Sequence, residues 1–154
     1  MTPKSALEAI AKFIPRDKVI WEPFHGDGRS GEFLRELGFN VIHHDEDFFQ
    51  NNRGDIIVSN PPFTLIPSIL ERLISLGKPF ILIMPAPKLF TQYTRKLFAT
   101  SEDKLQIIIP RKRIQFVKLV DGQVPENYES KCNFDCFYYC WKMGLPRDIV
   151  WLDS

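Results

Sequence analysis

The segment DIIVSNPPF, residues 55–63, decides the fold that this chain is expected to adopt. Its first half is a continuous apolar run, which is typical of a parallel strand buried on both faces of a sheet. Two consecutive prolines then end the strand, because neither has the N–H that the ladder needs. The turn therefore lies at the strand's carboxyl end, the edge at which open α/β sheets bind their ligands.

The turn at residues 60–63 offers the groups that recognise a planar amino group. The side-chain oxygen of Asn60 and the carbonyl of Pro61 can accept its two hydrogens, while the ring of Phe63 stacks on the attached base. An ordinary strand-ending turn is the alternative, because Asn-Pro and Pro-Pro are common breakers. The candidate catalytic residues are Asn60, Pro61, Pro62 and Phe63.

A second candidate site lies upstream, where the strand VIWE at residues 19–22 runs into PFHGDGRSG at residues 23–31. Glycines permit a sharp turn and a close approach of the backbone to a ligand. The spacing also fits G-x-G-x-x-G, a dinucleotide fingerprint, with Asp45 as a possible ribose acid. Glu22 and Asp27 argue against a dinucleotide, because both would repel its pyrophosphate and would suit a cationic ligand.

Together these segments resemble the class I amino-methyltransferases that use S-adenosylmethionine, and most of all the phage and viral DNA adenine-N6 methyltransferases. The turn at residues 60–63 is similar to the family's catalytic loop, and the Phe24-x-Gly26-x-Gly28 pattern is similar to its first cofactor motif. The likeness covers about residues 2–63 well and residues 104–142 loosely. It implies methyl transfer from S-adenosylmethionine to an exocyclic amino nitrogen, with adenine N6 in DNA as the expected target.

The resemblance also implies which residues hold the cofactor. Asp45 would bind the ribose hydroxyls, and Asp47 would bind the amino group of the cofactor's adenine, with Phe48 packed on the ring. A loop carboxylate at Asp45 and a core position at Phe48 or Phe49 are the alternatives. The expected cofactor-binding residues are Glu22, Pro23, Phe24, Gly26, Gly28, Asp45, Asp47 and Phe48.

Alternating strands and helices predict one minimal α/β domain over residues 1–154, with a doubly wound, mostly parallel, Rossmann-like sheet. Helices are predicted at about residues 2–13, 30–37, 66–76 and 88–98. Strands are predicted at about residues 18–22, 40–44, 55–59, 79–84, 105–109 and 134–142, and the resemblance implies that the last strand is antiparallel.

Only nine residues lie between Asp45 and Asp55. A parallel crossover needs a dozen or more residues, usually with a helix. The third strand unit of the resembled family is therefore expected to be reduced or missing.

Three cysteines, Cys132, Cys136 and Cys140, are spaced four residues apart in and just before the last predicted strand. This spacing places them on one face of the strand and does not match the CxxC pairs of zinc sites, so we expect core packing and no metal. An odd number of free thiols predicts a reducing, intracellular location, in the cytoplasm or in that of a host cell. The chain has no apolar run long enough for a membrane span, so no membrane partner is expected.

The net charge of +1 argues against a strong general attraction to nucleic acid. A local basic run follows the strand at residues 105–109 and is expected to lie near the same sheet edge, where it could hold phosphates. A solvated charge run is the alternative. The candidate substrate-binding residues are Arg111, Lys112 and Arg113.

The chain carries no separate target-recognition domain of the kind found in sequence-specific relatives. Low specificity, a homodimer, or a partner protein that supplies recognition are therefore open. RNA is an alternative to DNA, because unpaired bases need no flipping. Protein-glutamine methylation is less favoured because Phe63 stands where those enzymes favour tyrosine, and a non-catalytic methyltransferase-fold subunit is a further alternative.

Overall fold

The computed structural model describes residues 2–24, 28–116 and 135–153, and in these ranges seven strands and four α-helices form an α/β fold. The helices are α1 Lys4–Glu8, α2 Arg29–Glu36, α3 Ile66–Leu76 and α4 Gln92–Phe98. The strands are β1 Val19–Trp21, β2 Asn40–Ile42, β3 Ile56–Ser59, β4 Phe80–Pro85, β5 Leu105–Ile109, β6 Cys136–Trp141 and β7 Ile149–Trp151. Short 3-10 turns lie at Ala11–Phe13, Phe48–Gln50, Phe63–Leu65 and Ala86–Phe90.

The strands form one mixed sheet in the order β2-β1-β3-β4-β6-β5-β7. Strands β1 to β4 are parallel to their neighbours, whereas β6 lies antiparallel between β4 and β5. All strands except β6 therefore end at the same side of the sheet, which we call the carboxyl edge. The mostly parallel α/β sheet and the antiparallel direction of the strand near residues 134–142 are confirmed.

The sheet differs from the sequence prediction by one additional strand, β7. The antiparallel strand is not the last one, because β7 follows it and pairs in parallel with β5. Strand β7 lacks the buried pattern on which strand prediction depends, since its side chains Ile149 and Trp151 are 48% and 69% exposed. At the other edge, β2 has only β1 as a neighbour, and residues 43–55 contain a single 3-10 turn, as the short connection predicts.

Helices cover both faces of the sheet because the central strands are apolar on both sides. Every residue of β3 and β4 is buried. Their side chains alternate between two cores, so Ile81 and Ile83 pack with α1 and α2, whereas Leu82 and Met84 pack with α3 and α4. None of the helices in the described ranges is long and apolar enough to cross a bilayer.

Strand β6 has the two apolar faces that the sequence predicts. Cys136 and Cys140 are buried on the α1/α2 side, together with Tyr138. Tyr139 and Trp141 face the α3/α4 side. The predicted core role of these two cysteines is confirmed, whereas Cys132 lies outside the described residues.

The helix boundaries agree with prediction where a glycine or a proline sets them. Helix α3 has the predicted bounds and ends at Gly77. The predictions at residues 2–13 and 88–98 were too long. Helix α1 stops at Glu8 and a 3-10 turn follows, and α4 begins only at Gln92, because the two prolines near its predicted start favour a 3-10 turn over residues 86–90.

Gly31 provides a stability test, because it lies where α2 packs closely against the end of β2. A Cβ at this position would collide with the ring of His43. We expect Gly31→Ala to lower the free energy of unfolding by about 1–3 kcal/mol, as overpacking does, although alanine favours a helix by about 1 kcal/mol over glycine. Urea denaturation measures the change. Ser30→Ala, one residue away, should change stability by less than about 0.5 kcal/mol, and a Gly31→Ala protein as stable as the wild type would contradict the contact.

Candidate functional site

The carboxyl edge brings four connections side by side. Glu22 follows β1, His43 follows β2, Asn60 follows β3 and Ala86 follows β4. Because β1 pairs directly with β3, the end of the strand before the glycine-rich bend and the double-proline turn are neighbours. This is the juxtaposition that the sequence predicts for the two candidate sites.

A hydrogen bond joins these two segments. The Ser59 hydroxyl donates to Oε1 of Glu22 at 2.6 Å, and the backbone N–H of Phe24 donates to the same oxygen at 3.0 Å. Glu22 is only 2% exposed. Its carboxyl therefore fixes both the start of the bend after β1 and the residue immediately before Asn60.

Burial gives this carboxyl an unusual acidity. It raises the pKa of Glu22 from its ordinary value of 4.5 to about 8, although the hydrogen bonds from Ser59 and Phe24 act in the opposite direction. With only protein around it, Glu22 is therefore mainly protonated at pH 7. The sequence alone predicts a fixed negative charge at Glu22. In the structure, the side chain is buried, and a nearby cation would favour its ionised form.

Asn60 has one satisfied and one unsatisfied side-chain group. Its Nδ2 donates to Oγ1 of Thr2 at 3.2 Å. Its Oδ1 is buried and has no hydrogen-bond partner among the described residues. A buried acceptor without a partner is costly and is found at few positions in a folded protein. This oxygen is the acceptor that the proposed recognition of an amino group requires.

Thr2 is a site residue that sequence reasoning missed. The pair Thr2-Pro3 fits the start of a helix, and its hydroxyl would ordinarily cap that helix. In the structure Pro3 is the N-cap of α1 without a side-chain cap bond, and Thr2 is 3% exposed. Its hydroxyl contacts Asn60 instead. Only the packing of α1 over the sheet reveals this contact, since the two residues are far apart in sequence.

The rest of the double-proline turn is partly buried. Pro61 is buried and Pro62 is exposed. The Pro62 carbonyl accepts from the N–H of Leu65 at 3.1 Å and closes the 3-10 turn that begins at Phe63. The Phe63 ring is half-buried and contacts both cores. Part of this ring therefore remains accessible at the carboxyl edge.

The predicted cofactor residues after β1 are only partly described. Pro23 is buried and Phe24 is half-buried. Gly28 precedes α2 with a φ of 81°, a left-handed conformation that glycine adopts without strain. Gly26 lies outside the described residues. The described part thus has the backbone turn that the glycine pattern predicts at the start of a helix.

The predicted cofactor residues after β2 have clear structural roles. Asp47 caps a 3-10 turn, because its Oδ1 accepts from the N–H of Phe49 at 2.9 Å. Phe48 is 3% exposed, and its ring centroid lies 5.5 Å from that of Trp21 and 5.1 Å from that of Phe24. Phe48 is thus a core residue in this structure. Asp45 is exposed in the connection that follows β2, so its ribose-binding role stays a prediction.

The basic run after β5 lies at the carboxyl edge, where Lys112 and Arg113 line a pocket together with Pro3, the residue after Thr2. Three strand spacings separate β5 from β3, roughly 14 Å at about 4.8 Å each. Nε of Arg113 lies 3.2 Å from Oδ1 of Asp135, and Arg111 donates to the backbone oxygen of Asp153 at 3.1 Å. Lys112 is exposed. These partners reduce the charge available for a phosphate, and the substrate-binding role of the run stays a prediction.

Glu22 gives the site a pH dependence that can be measured without a substrate. Between pH 4.5 and about 8 the folded protein holds a proton on Glu22 that the unfolded chain has lost. We therefore expect the free energy of unfolding to fall as pH rises through this window, by up to about 1.4 kcal/mol per pH unit from this group. Glu22→Gln keeps an acceptor for Ser59 but cannot titrate.

Urea unfolding of both proteins from pH 5 to pH 9 isolates this contribution. The difference in stability between Glu22→Gln and the wild type should grow in favour of the variant as pH rises, then level off above about pH 8. Parallel curves for the two proteins would show that Glu22 has an ordinary pKa.

Comparison with models of known protein families finds no match to this chain. Comparison with curated proteins likewise finds no match. The arrangement of Glu22, Ser59, Asn60 and Thr2 at the carboxyl edge is therefore the basis for a functional conclusion.

Proposed function

We propose that this protein transfers a methyl group from S-adenosylmethionine to an exocyclic amino nitrogen, most favourably N6 of adenine in DNA. The observation that carries the proposal is the buried, unpartnered Oδ1 of Asn60 at the carboxyl edge. Its neighbour Ser59 is tied to Glu22 at the start of the glycine-rich bend. Asn60, which offers an acceptor for an amine, and Glu22, which can attract a cation, thus lie at the ends of paired strands.

The fold supports the proposal in a coarse way. Parallel strands β1 to β4, helices on both faces and an antiparallel β6 are compatible with the Rossmann-like sheet that the resemblance implies. The reduced connection between β2 and β3 agrees with a minimal member of that class. The adenine end of the proposed cofactor site would accordingly be more open than in larger enzymes.

Several residues fit the proposed cofactor. S-adenosylmethionine would supply the methyl group from its sulfonium. Glu22 would attract the positive charge of the cofactor. It would lose its proton as that charge approaches, because a nearby cation stabilises the carboxylate. Gly28 would let the backbone come close, and the exposed carboxylate of Asp45 is suited to two hydroxyl groups.

Asn60 and Pro61 would position the target nitrogen. Their side-chain and backbone oxygens accept its two hydrogens, which turns the nitrogen lone pair away from the base and toward the methyl carbon. The N–C bond forms as the S–C bond breaks, and the extra proton leaves the methylated nitrogen for water. Phe63 stacks on the base, and a base taken from duplex DNA must first leave its stack. Oδ1 is shielded by its surroundings, so side chains near it must move when the amine enters.

Asn60→Ala tests the central role. We expect at least about a 100-fold loss of methyl transfer, as when one preorganised group is removed from a reacting centre. Binding of S-adenosylmethionine by calorimetry should be unchanged, because Asn60 would contact only the target. Asn52→Ala, an exposed asparagine in the loop before β3, is the matched control and should transfer normally. Full turnover by Asn60→Ala would refute the assignment.

Thr2→Val tests how Asn60 is oriented. Removing the hydroxyl leaves the Asn60 amide without its partner, so we expect kcat to fall about 2- to 10-fold with KM for the nucleic acid little changed. Thr2→Ser keeps the hydroxyl and should restore kcat. Equal losses in the valine and serine variants would mean that the contact does not orient the amide.

Labelled methyl transfer to duplex DNA, single-stranded DNA, RNA and protein in parallel identifies the substrate. Preference for RNA or protein would replace DNA as the target. Binding of S-adenosylmethionine without transfer to any of them would indicate a non-catalytic subunit. Binding of NAD in its place would support the dinucleotide alternative.

A further inference from the structure

We infer that the 3-10 turn Ala86–Phe90, with the start of α4, holds the DNA strand that carries the target base. This inference rests on the proposed function and adds a contact surface to it. The residues that form this surface, which we call the Phe90 surface, are Lys88, Leu89, Phe90, Arg95 and Lys96.

Phe90 is the most exposed large apolar side chain of the described residues. It is 98% exposed, and its neighbour Leu89 is 43% exposed. A phenylalanine ring that is fully in water gains nothing for folding. Both faces of the ring remain available for stacking on a base, which is sequence-tolerant because every base has a π-face.

The backbone that displays Phe90 is held by side-chain hydrogen bonds. The Thr91 and Thr94 hydroxyls both donate to the backbone oxygen of Lys88, at 2.7 and 2.8 Å, and the two hydroxyl oxygens lie 2.8 Å apart. Thr91 also caps α4 by accepting from the N–H of Thr94. The turn is thus fixed before any partner arrives, which reduces the entropy lost on binding.

The Phe90 surface carries three cationic side chains, while Asp148 lines the same groove as Leu89 and Arg95. Residues 72–101 contain no aspartate or glutamate. Lys88, Arg95 and Lys96 form no ion pair with any described residue. The net charge of the whole chain, +1, does not show this local excess of positive charge. Unpaired cations beside an exposed ring are the combination by which proteins hold a nucleic-acid strand through its phosphates and bases.

The turn Ala86–Phe90 follows the strand next to β3, while Leu89 and Arg95 line a groove that extends toward β5 and β7. Strand β4 neighbours β3, and Leu82 is opposite Ser59 in the register. Strand β4 continues for three more residues to Pro85, so the turn after it rises roughly 10 Å above the level of Ser59. The half-exposed Leu65 lies in the turn that follows Phe63. A DNA strand with one base stacked on Phe90 could therefore present the neighbouring base to Asn60.

The charge also favours DNA over a second copy of this chain. A symmetric dimer through the Phe90 surface would place Lys88, Arg95 and Lys96 near the same residues of its partner, and like charges repel. A polyanion gains from the same three side chains. In the basic run at residues 111–113, by contrast, Arg113 pairs with Asp135 and Arg111 donates to the backbone oxygen of Asp153.

Fluorescence anisotropy with a short labelled DNA, duplex and single-stranded, tests the stacking role. We expect Phe90→Ala to weaken binding by about 5- to 150-fold, the range for loss of one stacking aromatic, and Phe90→Trp to retain it. Trp151→Ala removes another exposed aromatic, on β7, and should bind as the wild type does. Equal binding by Phe90→Ala, or no DNA binding by the wild type, would overturn the inference.

The salt dependence of binding tests the cations. Each of Lys88→Ala, Arg95→Ala and Lys96→Ala should reduce the slope of log K against log salt by about 0.7–0.9 if its side chain contacts a phosphate. Lys18→Ala, an exposed lysine just before β1 and so at the opposite edge, is the matched control. Unchanged slopes in all three variants would contradict phosphate contact by this surface.

Two further measurements separate this inference from the proposed function. Stronger binding of an RNA strand than of DNA, or a dimer that Phe90→Ala dissociates in sedimentation, would overturn DNA as the occupant. If S-adenosylmethionine does not bind but Phe90→Ala still weakens DNA binding, the proposed function fails and the surface stands. If methyl transfer to DNA depends on Asn60 but DNA binding does not depend on Phe90, the surface fails and the function stands.

Discussion

The hydrogen bond between Ser59 and the buried carboxyl of Glu22 is the contact on which the site depends. It joins the ends of β1 and β3 at 2.6 Å and thereby links the residues just after β1 to the residue just before Asn60. A carboxyl this deeply buried remains neutral unless positive charge approaches it. In its protonated form the Glu22 carboxyl thus stabilises the edge of the sheet. A cationic ligand would favour its ionised form.

Incomplete hydrogen bonding distinguishes the turn after β3 from an ordinary strand end. Trp21 Nε1 and the Tyr93 hydroxyl are also buried without a partner, and both residues belong to the α3/α4 side. Asn60 differs because its unpaired oxygen lies in the turn at the carboxyl edge, next to Ser59. Thr2 holds the other half of the amide. The orientation of this amide therefore depends on helix α1 as well as on the turn itself.

The net charge of the chain is a poor guide to the charge of the Phe90 surface. The chain as a whole is nearly neutral, with a net charge of +1, yet the segment from residue 72 to residue 101 has no acidic side chain. The fold places β4, within this segment, next to β3, whereas the more obvious basic run at residues 111–113 follows a strand three positions from β3 and lies against Pro3. The order of the β-strands sets where the charged side chains lie. This local distribution decides which cations could reach a DNA strand near Asn60.

The sequence by itself determined the α/β class, the buried strands β3 and β4, the bounds of α3 and the turn at Asn60, because apolar runs, prolines and glycine act on the backbone locally. Only the tertiary structure decided that β7 joins the sheet, that Phe48 is core, that Thr2 contacts Asn60 and that burial raises the pKa of Glu22. These outcomes depend on long-range contacts and on burial. The local sequence around a residue does not show which distant side chains surround it in the fold. Those side chains set both its hydrogen-bond partners and its pKa.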